Sequence, residues 1–452
     1  MSHGSLGELE GEVIDLSLHG LAVALPASAI SILFVGDRLD ALEVRAGERL
    51  LFRGSGAIRR IGDGGDRTIV GLELEDDGLD LAELRRHEAR RSFAQRLEEV
   101  GAMTRYAEVS PAFKAWVADL HGYLTLTKEF LDEEESALQT EDQLTRVETE
   151  RQYLSELAPR FVQEMQDIYN QLSPLISDLT EKEHTVYRAY FRLHVLPLLS
   201  ESPLLRRSFE KPLGYAGDYE MMNMLYRDHA EGASLFAKAL NIYGASESAA
   251  RANINRIEYL GALIRDVVAK SSRERIRIAS IGCGPAREVA VLLEQSPELG
   301  NRLEIALIDQ EERSMEFCER TLAPLARKTG ARIHFVRESV RKLISTRKLA
   351  QALGERELIY SAGLFDYISE RGFGALMGVL YGALADGGTL AVGNVALHNP
   401  SRYMMEYYLD WFLIHRSPEQ LRAYGEALEP APRSLQIDAE PTGVNLFLTV
   451  RR

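Results

Sequence analysis

The chain predicts a multidomain protein: a small N-terminal β-barrel, a central α-helical region and a C-terminal α/β domain of Rossmann-like, doubly wound type. Three observations carry this expectation. Short runs rich in branched residues, separated by Gly, Asp and Ser, fill residues 11–74. Amphipathic stretches at helical spacing follow. From about residue 271, apolar strand-like runs alternate with helical ones, the pattern of a parallel sheet covered by helices. With 452 residues two or three domains are expected. The shifts in pattern set boundaries at 1–80, 81–205 (helical bundle or linker), 206–270 (helical cap) and 271–452.

Composition narrows the function classes. A net charge of −15 and a pI near 5.3 argue against a nucleic-acid backbone as partner, because phosphate binding needs a basic face. The two cysteines, Cys283 and Cys318, build no disulfide framework and point to a reducing compartment. No run of 18 apolar residues and no signal-like opening occur, so a cytoplasmic protein not integral to a membrane is expected. No metal site is expected.

In the N-terminal part, runs at 12–16, 21–25, 39–44, 49–60 and 67–74 read as strands, with GDGGD at 62–66 as a turn. Residues 81–100 read as a helix whose arginines at 85–91 interleave with Glu83 and Glu88, a solvated face. Residues 112–135, 153–175 and 186–199 are further amphipathic helices, the latter two broken by Pro174 and Pro197. Such a bundle leaves a homodimer face open. At 210–223, EKPLGYAGDYEMMN reads as an ordered loop capping a helix, with Asp218 at the cap. The same loop is a candidate lid over a ligand, supplying Tyr215 and Asp218. Residues 246–267 form another helix, with Arg251 and Arg256 on opposed flanks.

Residues 277–285, RIASIGCGP, are the centre of the α/β part. A buried strand runs into a glycine turn, and a helix opens at 287–294. Glycine permits positive φ and close backbone approach to a ligand, and the helix start offers free N–H groups. The binding candidates are therefore Gly282, Cys283, Gly284 and Pro285, joined by Asp309 at the tip of a second strand, where an acid grips ribose hydroxyls in dinucleotide-type folds. Arg287 occupies the position of the third small residue of G-x-G-x-x-G, which weakens a hydride-transfer reading. Strands are expected at 331–336, 358–364, 390–395 after the Gly387-Gly388-Thr389 turn, 434–437 and 444–450. Ser361 and Ala362, within the 358–364 run, join the ligand candidates.

This set of pieces, with its Gly-Gly pair and closing C-terminal strand pair, resembles the class I S-adenosylmethionine-dependent methyltransferases over residues 271–452. The resemblance implies S-adenosylmethionine as cofactor. Asp15-Leu16-Ser17-Leu18-His19-Gly20 matches D-x-S-x-x-G, and the N-terminal part resembles a PilZ domain, the small barrel that binds cyclic di-GMP. That likeness implies Asp15, Ser17 and Gly20 as nucleotide contacts. The family's preceding R-x-x-x-R pair is missing, since residues 1–12 hold no arginine, so cyclic di-GMP is not expected to bind.

GYAGDYEMMN at 214–223, joined to NPSRYMMEYYLDWFLIHR at 399–416, narrows the likeness. Over residues 201–452 the chain resembles the bacterial methyltransferases related to the enzyme that makes 3-hydroxypalmitic acid methyl ester, a quorum signal. The resemblance implies a small-molecule acceptor, a fatty acid methylated on its carboxylate. Such an acceptor needs no base but a donor clamp, for which Asn394, His398, Asn399 and Arg402 are placed at or just past the end of the fifth strand, with Tyr215 from the lid. Tyr403, Tyr407 and Trp411 would line an acyl channel, or belong to plain core. Two alternatives stay open: a phenol, amine or carbon acceptor with His398 as base, and a non-catalytic cofactor-binding sensor.

Overall fold

A computed structural model describes residues 2–3, 7–8, 10–17, 20–26, 33, 36–46, 49–63, 67–74, 103–338 and 354–452. The chain forms two compact units, Met1–Arg105 and Tyr106–Arg452. The helix expected at 81–100 lies outside the described residues.

The first unit is an antiparallel sheet of β1 (Ser2–His3), β2 (Gly7–Glu8), β3 (Glu12–Ser17), β4 (Gly20–Pro26), β5 (Arg38–Ala46), β6 (Arg49–Asp63) and β7 (Arg67–Leu74). Strand order is β2-β1-β5-β6-β7-β4-β3. Period-two alternation decides its core: Leu21, Val23 and Leu25 on β4 face inward with Leu39, Leu42, Val44, Val70 and Leu72. Among the described residues β2 and β3 are the two sheet edges, and no pairing that closes the expected barrel is seen among them. Ser17 pairs with Gly20 at the β3–β4 turn. His19 and the side chains of Asp15 and Ser17 lie outside the described residues.

The second unit opens with helices α1 (Pro111–Leu138), α2 (Gln143–Asn170), α3 (Leu172–Ile176), α4 (Glu181–Leu199), α5 (Pro203–Glu210), α6 (Tyr219–Tyr226), α7 (Leu235–Ser246) and α8 (Ser248–Lys270). Phe113, Trp116, Val117, Leu120 and Leu124 keep helical spacing on α1 and are buried. Thr180 and Glu183 close a capping box on α4. Pro197 does not break α4; it sits in the last turn, where it removes a single backbone donor. Residues 153–170 and Pro174 are divided between α2 and the short α3.

The sheet follows: β8 (Ile276–Ile281), α9 (Arg287–Gln295), β9 (Leu303–Asp309), α10 (Glu312–Thr329), β10 (Arg332–Arg337), β11 (Arg356–Ser361), α11 (Glu370–Gly382), β12 (Leu384–Val395), α12 (Arg402–Tyr408), α13 (Pro418–Glu426), β13 (Ser434–Ala439) and β14 (Asn445–Arg451). The order is β10-β9-β8-β11-β12-β14-β13. The first five run parallel, and β14 lies antiparallel between β12 and β13. The central strands β8, β9 and β11 are almost continuously buried because helices cover both faces. The strand expected at 390–395 begins earlier, at Leu384, and takes Gly387 and Gly388 into its first half.

Helix α12 belongs by sequence to the sheet region, yet Met404, Tyr407 and Tyr408 are buried in the core of the helical region with Phe113, Phe191 and Tyr243. Helical and sheet regions thus share one compact body. No helix among the described residues is long and apolar enough to cross a membrane.

Candidate functional site

At the carboxyl end of β8 the chain reverses through Gly282 (φ +64°) and Gly284 (φ +53°), conformations that side chains with a Cβ rarely adopt. Ile308 on the neighbouring strand anchors the turn, accepting the N–H groups of Gly282 at 2.8 Å and Cys283 at 3.1 Å. A Cβ at Gly282 would come within 3.3 Å of Leu364, while one at Gly284 would meet nothing within 4 Å. The second glycine therefore presents bare backbone to open space. Ala286, itself at φ +48°, starts α9, whose first N–H groups lack helical partners.

That space is a cavity of about 660 Å³, lined by residues 282–288, Asp309, Gln310, Glu311 and Ala362, and covered by Leu213, Tyr215 and Tyr219. The size suits a nucleoside-bearing ligand. Asp309 terminates β9 on its wall. Its Oδ2 accepts the Gly284 N–H at 2.9 Å and its Oδ1 the Glu311 N–H at 3.0 Å. Burial raises its pKa, and the backbone N–H groups pull it back. Asp309 thus braces the glycine turn and still edges the cavity. Glu288, in the first turn of α9, accepts the Tyr360 hydroxyl at 2.7 Å and is likewise raised by burial.

The opposite wall comes from distant parts of the chain. Tyr367 follows β11 and accepts the Trp411 indole N–H at 2.9 Å. Gly217 of the lid lies against this pair: a Cβ there would stand 2.9 Å from the Trp411 ring and 3.2 Å from the Tyr367 hydroxyl. Only a residue without a side chain fits so close. Asp366 is buried, and its Oδ1 accepts the Val395 N–H at 2.7 Å. Burial pushes its pKa up to about 6. Arg256 projects from α8 into the same region, donating to the Ala362 carbonyl at 3.5 Å.

Of the residues named from the sequence, Tyr215, Gly282, Cys283, Gly284, Pro285, Asp309 and Ala362 meet around the cavity. Ser361 lies just beneath, its hydroxyl donating to the Ile281 carbonyl at 2.8 Å. Asp218 does not line the cavity. It caps α6 through the Met221 N–H at 2.8 Å and holds Arg207 at 2.8 and 2.9 Å, which occupies both oxygens. Asn394 is turned into the interior, where its Oδ1 accepts from Arg416 at 2.6 Å. His398 is exposed on a loop, and Arg402 pairs with Glu406 at 2.7 Å. Tyr407 is buried against His184 at 2.7 Å, and Tyr403 stacks on the same imidazole. Trp411 alone of that aromatic stripe borders cavities near the site. Residues the sequence did not single out as ligand contacts are Arg256, Glu288, Tyr360 and Asn445. A basic residue on the helix preceding the glycine strand was the one available signal, for Arg256.

No family model matches the chain, and no curated protein matches it. Solved structures with a similar arrangement include three of different description. A possible exported protein from Bordetella parapertussis is 18% identical, with 55% of this chain and 86% of that one covered and a TM-score of 0.41. Magnesium protoporphyrin IX methyltransferase (ChlM) from Synechocystis PCC 6803, with bound S-adenosylhomocysteine, is 11% identical over 55% and 98% of the two chains, TM-score 0.38. N-methyltransferase NodS from Bradyrhizobium japonicum WM9, also with S-adenosylhomocysteine, is 14% identical over 52% and 97%, TM-score 0.32. At such identities and scores these likenesses carry no ligand or reaction over to this chain.

Proposed function

We propose that the chain is an S-adenosylmethionine-dependent methyltransferase that esterifies the carboxylate of an apolar, hydroxylated fatty-acid-like molecule. The observation that carries the cofactor is the glycine turn at 282–284, braced by Asp309, with its bare backbone facing a 660 Å³ cavity. The turn's own N–H groups are taken up by Ile308, Asp309 and Cys283, so the first N–H groups of α9 are the backbone donors that suit the polar end of the cofactor, and Asp309 with Glu311 suits a ribose diol. The sheet order, with antiparallel β14 inserted between β12 and the edge strand β13, supports the class I methyltransferase resemblance. When bound, S-adenosylmethionine supplies a methyl group on a positively charged sulfur. The chain's own part is then to orient the acceptor and exclude water, for which Tyr215, Tyr219 and the Tyr367–Trp411 pair provide the cover. A carboxylate has no proton to lose, so no base is required of the protein.

One observation favours a second acceptor class. Asp366, raised to about 6, is a buried carboxylate on the wall away from the glycine turn, able to take a proton from a hydroxyl or amine acceptor. The first unit serves, in this reading, as a PilZ-like module lacking the arginine pair.

Transfer of labelled methyl from S-adenosylmethionine to a panel of free and hydroxylated fatty acids tests the proposal. Base-labile label in the organic phase is the expected result. Absence of transfer to any acid, with calorimetry still showing cofactor binding, would remove the ester reading and leave other acceptors or a sensor role.

A further inference from the structure

Beside the large cavity lies a smaller one of about 50 Å³. Arg256, Met222, Gly217, Gly363 and Tyr367 border both. The two lie over different parts of the sheet. The glycine turn and Asp309 stand at the carboxyl ends of β8 and β9, whereas the small cavity is lined by Asp366 and Val395, which follow or end β11 and β12. A two-substrate site in a doubly wound sheet is divided along this line.

The polar lining of the small cavity is incompletely satisfied. Arg256 makes no ion pair within 4.0 Å among the described residues; its guanidinium reaches the Ala362 carbonyl at 3.5 Å, the Met222 sulfur at 3.3 Å and the Tyr226 hydroxyl, and feels Asp366 and Glu288 only at longer range. Asn445 is 3% exposed, and its side-chain Nδ2 has no hydrogen-bond partner. A buried amide donor without a partner is costly and calls for an acceptor. Asp366 is the other charged lining residue, and its Oδ1 is engaged by Val395. The volume holds roughly three or four water-sized groups, enough for a head group and not for a body. Behind it a third cavity of about 30 Å³ shares Ala249, Asn253, Met405 and Trp411 with the second and is lined by Leu204, Met221 and Met404. This continuation is apolar and adaptable.

We infer that the small cavity is the acceptor's head-group pocket, in which the Arg256 guanidinium and the Asn445 amide hold a carboxylate, with the first carbons of an apolar body running toward Met221 and Met404, whose side chains must move aside for a longer one. A planar fork plus a second donor matches two carboxylate oxygens. The inference rests on the methyltransferase reading and adds to it the residues that choose the acceptor. The cofactor carries a carboxylate of its own, so the test must separate the two sources.

Calorimetry on the full chain does so, with S-adenosylhomocysteine as one titrant and, at saturating S-adenosylhomocysteine, saturated and 3-hydroxylated fatty acids of eight to sixteen carbons as the other. Arg256→Gln is expected to weaken fatty-acid binding by about 30-fold, Asn445→Ala by about 5-fold and Arg256→Lys by an intermediate factor, with S-adenosylhomocysteine affinity within about 3-fold of wild type. Alcohols of equal length should bind the wild type no better than the acids bind Arg256→Gln. Loss of S-adenosylhomocysteine affinity with fatty-acid binding intact would assign Arg256 to the cofactor's carboxylate and overturn the inference. Unchanged fatty-acid affinity in Arg256→Gln and Asn445→Ala, or no fatty-acid binding to a wild type that does bind S-adenosylhomocysteine, would also overturn it. A wild type that binds no S-adenosylhomocysteine would instead overturn the underlying methyltransferase reading.

Discussion

The two walls of the large cavity are built in different ways. The glycine-turn wall uses short sequence stretches, 282–288 and 309–311, each fixed where a strand ends. The facing wall draws Gly217 from the lid, Arg256 from α8 and Tyr367 from after β11, with Trp411 behind them from beyond α12. A ligand held by the first wall needs backbone geometry that one peptide segment encodes. A ligand held by the second needs side chains that meet only when helical and sheet regions pack as one body. Conformation should therefore dominate the response on the first wall, and packing and charge on the second.

The sharpest break is Gly282→Val. A β-branched residue at φ +64°, with its Cβ near 3.3 Å from Leu364, cannot keep the turn. Calorimetry should show S-adenosylmethionine binding abolished while far-ultraviolet circular dichroism stays close to wild type. Retained binding would mean the turn is not the cradle.

Asp366, which lines the small cavity behind the second wall, probes that side through pH. Burial raises its pKa from the ordinary value near 3.8 to about 6, so the folded state binds the proton more tightly than the unfolded one. Its contribution is full below about pH 4 and is lost as pH rises to 6, at most about 3 kcal/mol. Asp366→Asn keeps an oxygen for the Val395 N–H and should gain stability over wild type at pH 7.5 relative to pH 4.5 in urea unfolding. His415 has the opposite sign. Burial lowers its pKa to about 4, so its contribution is lost as pH falls from about 6.5, and the variant must be compared with wild type at each pH. A wild-type-minus-variant difference that does not change with pH would place Asp366 in water.

Asp309→Ala returns to the first wall. It removes the acceptor for the Gly284 N–H and a ribose-facing carboxylate together, and should weaken S-adenosylmethionine binding by about 1–3 kcal/mol. Unchanged affinity would take Asp309 out of the site. The smallest effect is expected for Trp411→Phe, which deletes the indole N–H donated to Tyr367 and keeps most of the ring. A cost of about 1 kcal/mol should fall on acceptor turnover, with cofactor affinity unchanged. An equal loss of cofactor affinity would erase the distinction between the walls.

The residues expected past β12 show why side-chain direction was not legible. Asn394 sits at the strand end where an acceptor site opens, but alternate residues of a strand face opposite sides. The buried Arg416, from twenty-two residues further on, takes its oxygen. Tyr403 and Tyr407 share a seven-residue helix with Met404, and that helix turns its rings into the helical core. Asp218 was legible as a helix cap, a local interaction, while its pairing with Arg207 was not.

Local chemistry in the sequence alone determined the alternation of strands and helices, the glycine turn after β8 and the acid at the tip of β9. Each depends on apolar periodicity or on backbone conformation that neighbouring residues dictate. Tertiary packing alone decided that Arg256, Asp366, Trp411 and Asn445 border one small cavity, that α12 enters the helical core, and that Asn394 faces inward. Those placements depend on contacts between residues nearly three hundred positions apart, as Phe113 and Tyr407 are, and no local spacing records them.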